Sequence, residues 1–145
     1  IVQCLSGIVD RDEASWPVWI KVLISWGGEL CGSKFRDNLR GILAIGALSF
    51  AEIAFYDQSA HIYRNRLMEE PVELISCQGN ISSRGEKPFV HAHVSLAGRD
   101  YRVYGGHLVR GSVFAAEVHL RDLGKAHLVR MPDFATGLHL WADEP

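Results

Sequence analysis

Apolar and polar residues alternate along much of the chain, which predicts extended strands. From 18 to 26 every second residue is apolar, and Gly27-Gly28 closes the run; a period of two is that of a strand with one buried face. We expect Gly46 and Ser49 to mark a bend or a close approach of two backbones. Further apolar runs rich in β-branched and aromatic residues predict strands at 42–48, 52–56, 72–77, 89–96, 101–104 and 112–120. Gly79-Asn80 is expected to form the turn that ends the 72–77 strand.

Helical signals are few. Phe35 and Leu39 are four residues apart and Ser33 is a potential N-cap, which predicts a short helix over 33–40. Strands and helices do not alternate at the spacing that a parallel sheet requires. The pattern therefore predicts an α+β domain, mainly antiparallel β-sheet with a few flanking helices.

The domain organisation is simple. Residues 1–17 show neither helical nor strand periodicity, and we expect them to be an N-terminal extension of unknown structure. Residues 18–145 contain no linker and no repeat, so they are predicted to form one domain. The length of 145 residues and the hydrophobic fraction of 48% suit one self-sufficient core.

Charge and cysteine content narrow the function classes. Fifteen Lys and Arg stand against seventeen Asp and Glu, so no basic excess favours binding to nucleic acid. The longest apolar run, 41–51, is too short for the ~20 residues of a membrane-spanning helix. Three cysteines without metal-type or redox-type spacing indicate a reducing compartment. We expect a cytoplasmic protein without a membrane span.

The chemistry of the chain is concentrated in a His-x-His pair. On the 89–96 strand His91 and His93 share one face, while Val90, Ala92 and Val94 share the other. The two Cβ atoms would lie about 6–7 Å apart, which lets both rings reach one ion. Such a pair is by itself more often two hydrogen-bonded histidines than a metal site.

A third histidine changes that balance. The segment 97–100 carries turn residues, and Gly105-Gly106-His107 follows on the returning strand, so His107 is expected to reach the same point. Three imidazoles around one ion leave a position open, as in catalytic zinc sites. Zinc is the expected metal, although iron, nickel and copper also accept imidazole. The remaining histidines are interpreted as surface or packing residues.

Two carboxylates are the only candidates for acid or base chemistry. Glu117 shares a strand face with His119, and Glu73 begins the 72–77 strand. Either could orient an imidazole or move a proton. An ion pair with an arginine for Glu117, and a solvent-exposed strand position for Glu73, explain them equally well.

Several segments together resemble the plants and prokaryotes conserved (PPC) domain family. The resemblance covers roughly 18–140, and the combination of His-x-His with Gly-Gly-His is specific to the prokaryotic branch of the family. The segments that carry it are Gly28-Glu29, Ile45-Gly46-Ala47-Leu48, Tyr56-Asp57, Glu73-Leu-Ile-Ser, Gly79-Asn80-Ile, Pro88-Phe-Val-His91-Ala-His93-Val, Tyr104-Gly105-Gly106-His107-Leu, Glu117-Val, Arg130, Asp133 and Thr136-Gly137-Leu138.

The resemblance implies an antiparallel sheet assembled as a homotrimer, with His91, His93 and His107 as the metal ligands. It also implies DNA binding, the role long attached to the family, although this sequence has no AT-hook. The function expected is that of a metal-binding, DNA-binding or regulatory domain in an oligomeric assembly. The alternative is a zinc-dependent lyase or hydrolase that acts on a small organic acid.

Overall fold

The computed structural model describes residues 2–9, 38–84, 87–125 and 128–143, and in these ranges every regular element is a strand. The strands predicted from 42 onward are observed in order, and strands at 62–68, 128–133 and 138–143 are added that the sequence did not predict. The eight strands are β1 (Val2–Val9), β2 (Asn38–Asp57), β3 (Ile62–Met68), β4 (Val72–Arg84), β5 (Lys87–Ala97), β6 (Val103–Lys125), β7 (Leu128–Asp133) and β8 (Leu138–Asp143).

The predicted α+β class with flanking helices is therefore wrong for the described residues, which form a mainly antiparallel sheet. The last three residues of the helix expected at 33–40 begin β2, where Arg40 pairs with Ile81 on one side and Asp122 on the other. Two neighbouring strands outweigh a weak local helical preference. The strand expected at 18–26 and the rest of that helix lie outside the described ranges.

The sheet closes on itself through its four longest strands. β2 pairs with β6 on one edge and with β4 on the other, and β5 joins β4 to β6, so these four strands form a ring of hydrogen-bonded pairs. β1 adds to β6, β3 to β2, and the β7–β8 hairpin to β4 through one parallel contact. β1 lies within the segment for which the sequence predicted no structure.

Long strands replace several shorter ones that the sequence predicted. Runs 42–48 and 52–56 are parts of β2, and runs 101–104 and 112–120 are largely parts of β6. The interruption at Gly46 is a bulge with close backbone approach, as predicted, since a Cβ there would lie 2.2 Å from the Ala115 carbonyl oxygen. Gly79-Asn80 is not a turn, because β4 continues through it to Arg84.

The core fills the inside of the ring. Leu96 and Ala51 have no exposed surface, and residues from β2, β4, β5 and β6 pack around them. Burial of this set is the main favourable term for the fold. Among the described residues, no helix is long and apolar enough to span a membrane.

The buried Cys77 thiol gives a direct test of this core. Burial raises its pKa to about 11, so very little thiolate forms near neutral pH, and only the thiolate is nucleophilic. In a chain with Cys4 and Cys31 replaced by serine, iodoacetamide is expected to modify folded Cys77 at pH 8 about 100-fold more slowly than the urea-unfolded chain. Equal rates in the two states would contradict the burial of Cys77.

Candidate metal centre

His91 and His93 project from the outer face of β5. Ala92 and Val94, which alternate with them, are buried in the core. Because side chains of a strand alternate between its two faces, burial of the small and β-branched residues forces both imidazoles to the other side. The face predicted from the sequence is the face observed.

His107 comes to the same place through the β5–β6 hairpin. Its turn is closed by a hydrogen bond from the Gly98 N–H to the Arg102 carbonyl oxygen, 3.0 Å long. The resulting register places His107 directly opposite His93. His107 is buried, whereas His93 is exposed and His91 lies between these extremes.

The three imidazoles form one compact cluster. Ring centroids are 5.1 Å apart for His91 and His93, 4.9 Å for His91 and His107, and 5.3 Å for His93 and His107. One ligand atom from each ring lies within 4.8 Å of the others. An ion bonded to all three at about 2.0–2.1 Å needs them about 3.3 Å apart, so small ring rotations suffice. The cluster could hold a metal ion.

β4 supplies the polar side chains next to this cluster. Gln78 is the cross-strand partner of His93, and Asn80 is the partner of His91. Asn80 was expected to make a turn, but it is a strand residue whose side-chain oxygen accepts a hydrogen bond from Arg130. The apolar setting of Asn80 in the sequence was the only signal of this role.

Arg130 of β7 is a buried cation, which the sequence placed in the closing segment of the family resemblance but to which it assigned no function. Its Nε donates to the Ser82 hydroxyl at 3.0 Å, Nη2 to Asn80 Oδ1 at 3.0 Å, and Nη1 to the His139 carbonyl oxygen at 3.1 Å. The Phe89 and Trp141 rings face it at 5.1 and 5.3 Å. Burial lowers the pKa of its guanidinium. In the sequence, Arg130 is a single charged residue in an apolar run, and this pattern does not show that its side chain is buried beside the histidines.

A cavity of about 360 Å³ joins the histidine cluster to Arg130. Tyr63 forms part of its wall, with its ring 5.4 Å from that of His107. The other lining residues are Phe89, His91, Gly137, Leu138, His139 and Leu140. A second cavity of about 550 Å³ touches His91 and His93 and includes His119. The cluster is therefore accessible from two sides.

Glu73 and Glu117 lie away from the histidines. Both line a third cavity, of about 420 Å³, which contains none of the three. Along β4, Glu73 is five residues from Gln78, the partner of His93, or about 17 Å at the rise of a strand. Both carboxylates are exposed. A catalytic role for either stays a prediction.

The β7–β8 turn closes the cavity at one end. Asp133 accepts hydrogen bonds from the backbone N–H and the hydroxyl of Thr136, and these bonds lower the pKa of its carboxyl. The Tyr56 hydroxyl donates to the Thr136 carbonyl oxygen. The turn that carries Gly137, which lines the cavity, is thus fixed to β2.

The family model of the Plants and Prokaryotes Conserved (PCC) domain, called PPC above, matches residues 35–124. This range contains β2 to β6 and all three histidines. The chain belongs to this family. The resemblance noted from the His-x-His and Gly-Gly-His segments is confirmed.

Solved structures share the fold. A metal-containing protein from Archaeoglobus fulgidus is 35% identical, with a TM-score of 0.79 over 99% of this chain and 92% of the other. A plant- and prokaryote-conserved protein from Pyrococcus horikoshii is 32% identical, with a TM-score of 0.72 over the same shares. A candidate DNA-binding protein from Bacteroides thetaiotaomicron is 22% identical, with a TM-score of 0.74 over the same shares, and shows the fold alone.

A curated relative contains a similar segment within a much longer chain. The bifunctional protein GlmU of Synechococcus sp. strain JA-3-3Ab is 33% identical over 96 residues. These residues are 65% of this chain but only 14% of that protein. The match thus covers about one seventh of the length of the relative.

Proposed function

We propose that this PPC domain binds a divalent transition metal, with zinc as the expected ion, through His91, His93 and His107. The observation that carries the proposal is the cluster itself: three imidazoles from two paired strands, with ligand atoms within 4.8 Å. Neutral imidazole is a preferred ligand of zinc and its neighbours. A metal-containing protein of 35% identity supports the proposal.

Metal analysis tests this directly. The protein is produced in medium that contains zinc, iron, nickel and copper, and it is purified without a chelator and without an affinity tag. It is expected to contain about one metal ion per chain. Mass spectrometry of the element content then identifies the ion. Material that is metal-free, and takes up none of these ions in a later titration, would overturn the proposal.

A role in DNA binding or regulation, as part of a homotrimer, is the second proposal. It is supported by family membership and by fold relatives that include a candidate DNA-binding protein. The surface charges favour it less. Arg64 pairs with Asp57 at 2.8 Å, Arg110 with Glu52 at 2.6 Å, and Arg102 with Asp100 at 3.4 Å. Cations neutralised in this way contribute little to phosphate binding.

Salt dependence separates direct DNA contact from other roles. If the assembly contacts phosphates, its affinity for an A·T-rich duplex falls as salt rises, with a slope in log–log form of about −0.9 for each phosphate. Because three of the surface arginines already pair with carboxylates and the chain has no basic excess, we expect a shallow slope. A steep slope with tight binding would show that this charge argument is wrong. Light scattering of the same sample measures whether three chains assemble.

The alternative, a zinc-dependent lyase or hydrolase for a small organic acid, is favoured by the cavity beside the cluster. An open metal position can polarise a carbonyl or activate water. The cavity volume of about 360 Å³ lies in the range of small-molecule sites. His91 and His107 both line it, so a ligand there would lie next to the ion.

A further inference from the structure

Arg130 is a buried cation with neutral partners. The residue is only 8% exposed. Its three acceptors are a hydroxyl, an amide oxygen and a backbone carbonyl oxygen, and no described carboxylate forms an ion pair with it. A buried charge is costly unless an opposite charge compensates it. The three hydrogen bonds and the Phe89 and Trp141 rings offset a part of this cost, and a bound anion would supply the opposite charge.

The guanidinium also has donors to spare. It carries five N–H groups in a fixed planar fork, and three of them are used by Ser82, Asn80 and His139. Two remain, one on each terminal nitrogen. Arginine with two such donors is well suited to a planar carboxylate.

Arg130 and the histidine cluster belong to one cavity and lie close together in it. Arg130 bonds to Asn80, and Asn80 is the cross-strand partner of His91; facing side chains of such partners have Cβ atoms about 4.5–5.5 Å apart. A molecule of a few atoms can therefore touch both groups. The rest of the wall is largely apolar, with Phe89, Leu138 and Leu140, which favours an organic ligand over a bare ion.

We propose that the cavity binds a small organic acid whose carboxylate pairs with Arg130 while a second oxygen donor reaches the metal. This inference rests on the proposed metal centre and names the ligand class of that same site. A planar carboxylate matches the two remaining N–H groups of the guanidinium, and the apolar Phe89, Leu138 and Leu140 suit the carbon skeleton of an organic acid. The three bonds that hold the guanidinium make it a pre-organised recognition group.

Diacids and their half-amides, compared with and without the Arg130 guanidinium, test the proposal. Malonate, succinate and glutarate are each titrated into zinc-loaded protein by calorimetry, beside the monoamide of the same acid. Zinc alone already prefers the diacid, because two carboxylates can chelate the ion or add charge near it, and an Arg130→Met variant measures that part of the preference. An Arg130 site adds a charged hydrogen bond, so at least one diacid is expected to bind about 10-fold or more tightly than its monoamide.

Substitutions then assign the preference. Arg130→Met should lower the diacid preference about 10-fold and leave the monoamide affinity unchanged, whereas Arg130→Lys should keep a part of the difference. Arg102→Met, which removes an exposed arginine, is the matched control and should behave like the unmodified chain. If Arg130→Met does not fold, Arg130→Gln and Arg130→Lys decide by the same comparison.

The outcomes separate the two proposals. Zinc uptake with a diacid preference that is the same in folded Arg130→Met as in the unmodified chain overturns the carboxylate site alone. Arg130-dependent binding of inorganic phosphate tighter than that of every diacid shows that the ligand class is wrong. A chain that takes up no metal overturns both the metal centre and this inference.

Discussion

A His107→Ala variant is expected to lose the bound metal, with a dissociation constant raised by more than about 100-fold. Loss of an outer partner of a ligand already costs 10–100-fold in affinity at zinc sites, and His107 would be a direct ligand. It is also the most buried of the three histidines. Competition with a chromophoric zinc chelator measures the constant, and circular dichroism checks that the strands persist.

The exposure of the ligands gives this test its controls. His93→Ala changes an exposed side chain, so it should lose metal affinity to a similar degree without loss of stability. His119 lines the neighbouring cavity but is not one of the cluster, and His119→Ala should bind metal like the unmodified chain. Tight binding retained in the His93 and His107 variants would show that the cluster is not the site.

A Gly79→Ala variant should be strongly destabilised and should also bind metal weakly. A Cβ at Gly79 would lie 2.2 Å from the carbonyl oxygen of His91 and 2.8 Å from the Cα of Ala92, so β4 and β5 have to move apart there. Overpacking of this kind typically costs about 1–3 kcal/mol and occasionally more. Because the displaced backbone carries His91, the ligand geometry changes as well. Urea unfolding and zinc titration measure the two effects.

Gly41→Ala is the matched control for this second prediction. Gly41 lies on β2 opposite Asn80, close to the same part of the sheet, but a Cβ there would meet its nearest atoms at 3.9 and 4.0 Å. Such contacts are ordinary, so we expect little change in unfolding or in metal affinity. Equal stability of the two variants would contradict the close approach of β4 and β5 at Gly79.

The sequence predicted strands better than it predicted their ends. The runs 72–77 and 89–96 are strands as expected, because alternation of Val, Leu and Ala with polar residues reports one buried face directly. The ends differ because Gly79-Asn80, a turn signal by local chemistry, lies between two paired strands that hold it extended. Ring closure by β2, which needs partners far apart in sequence, could not be deduced from local pattern.

The candidate site divides in the same way. His91 and His93 share a face by strand period alone, and the turn at 97–100 was enough to predict that His107 meets them. Arg130 gave no such signal, since its partners Asn80 and Ser82 are about 50 residues away in the chain. The placement of Glu73 and Glu117 in a separate cavity likewise depends on pairing between distant strands.

The amino-acid sequence by itself determined the three-histidine cluster and the family, because strand period and one short hairpin are local properties of the chain. Only the tertiary structure decided that helices are absent from the described residues, that the sheet closes on itself, and that a buried arginine faces the cavity of the histidines. Those features depend on contacts between distant segments. The free energy of these long-range contacts outweighs the local conformational preferences of the residues. The alternation of apolar and polar residues along the chain does not show which distant segments will pair.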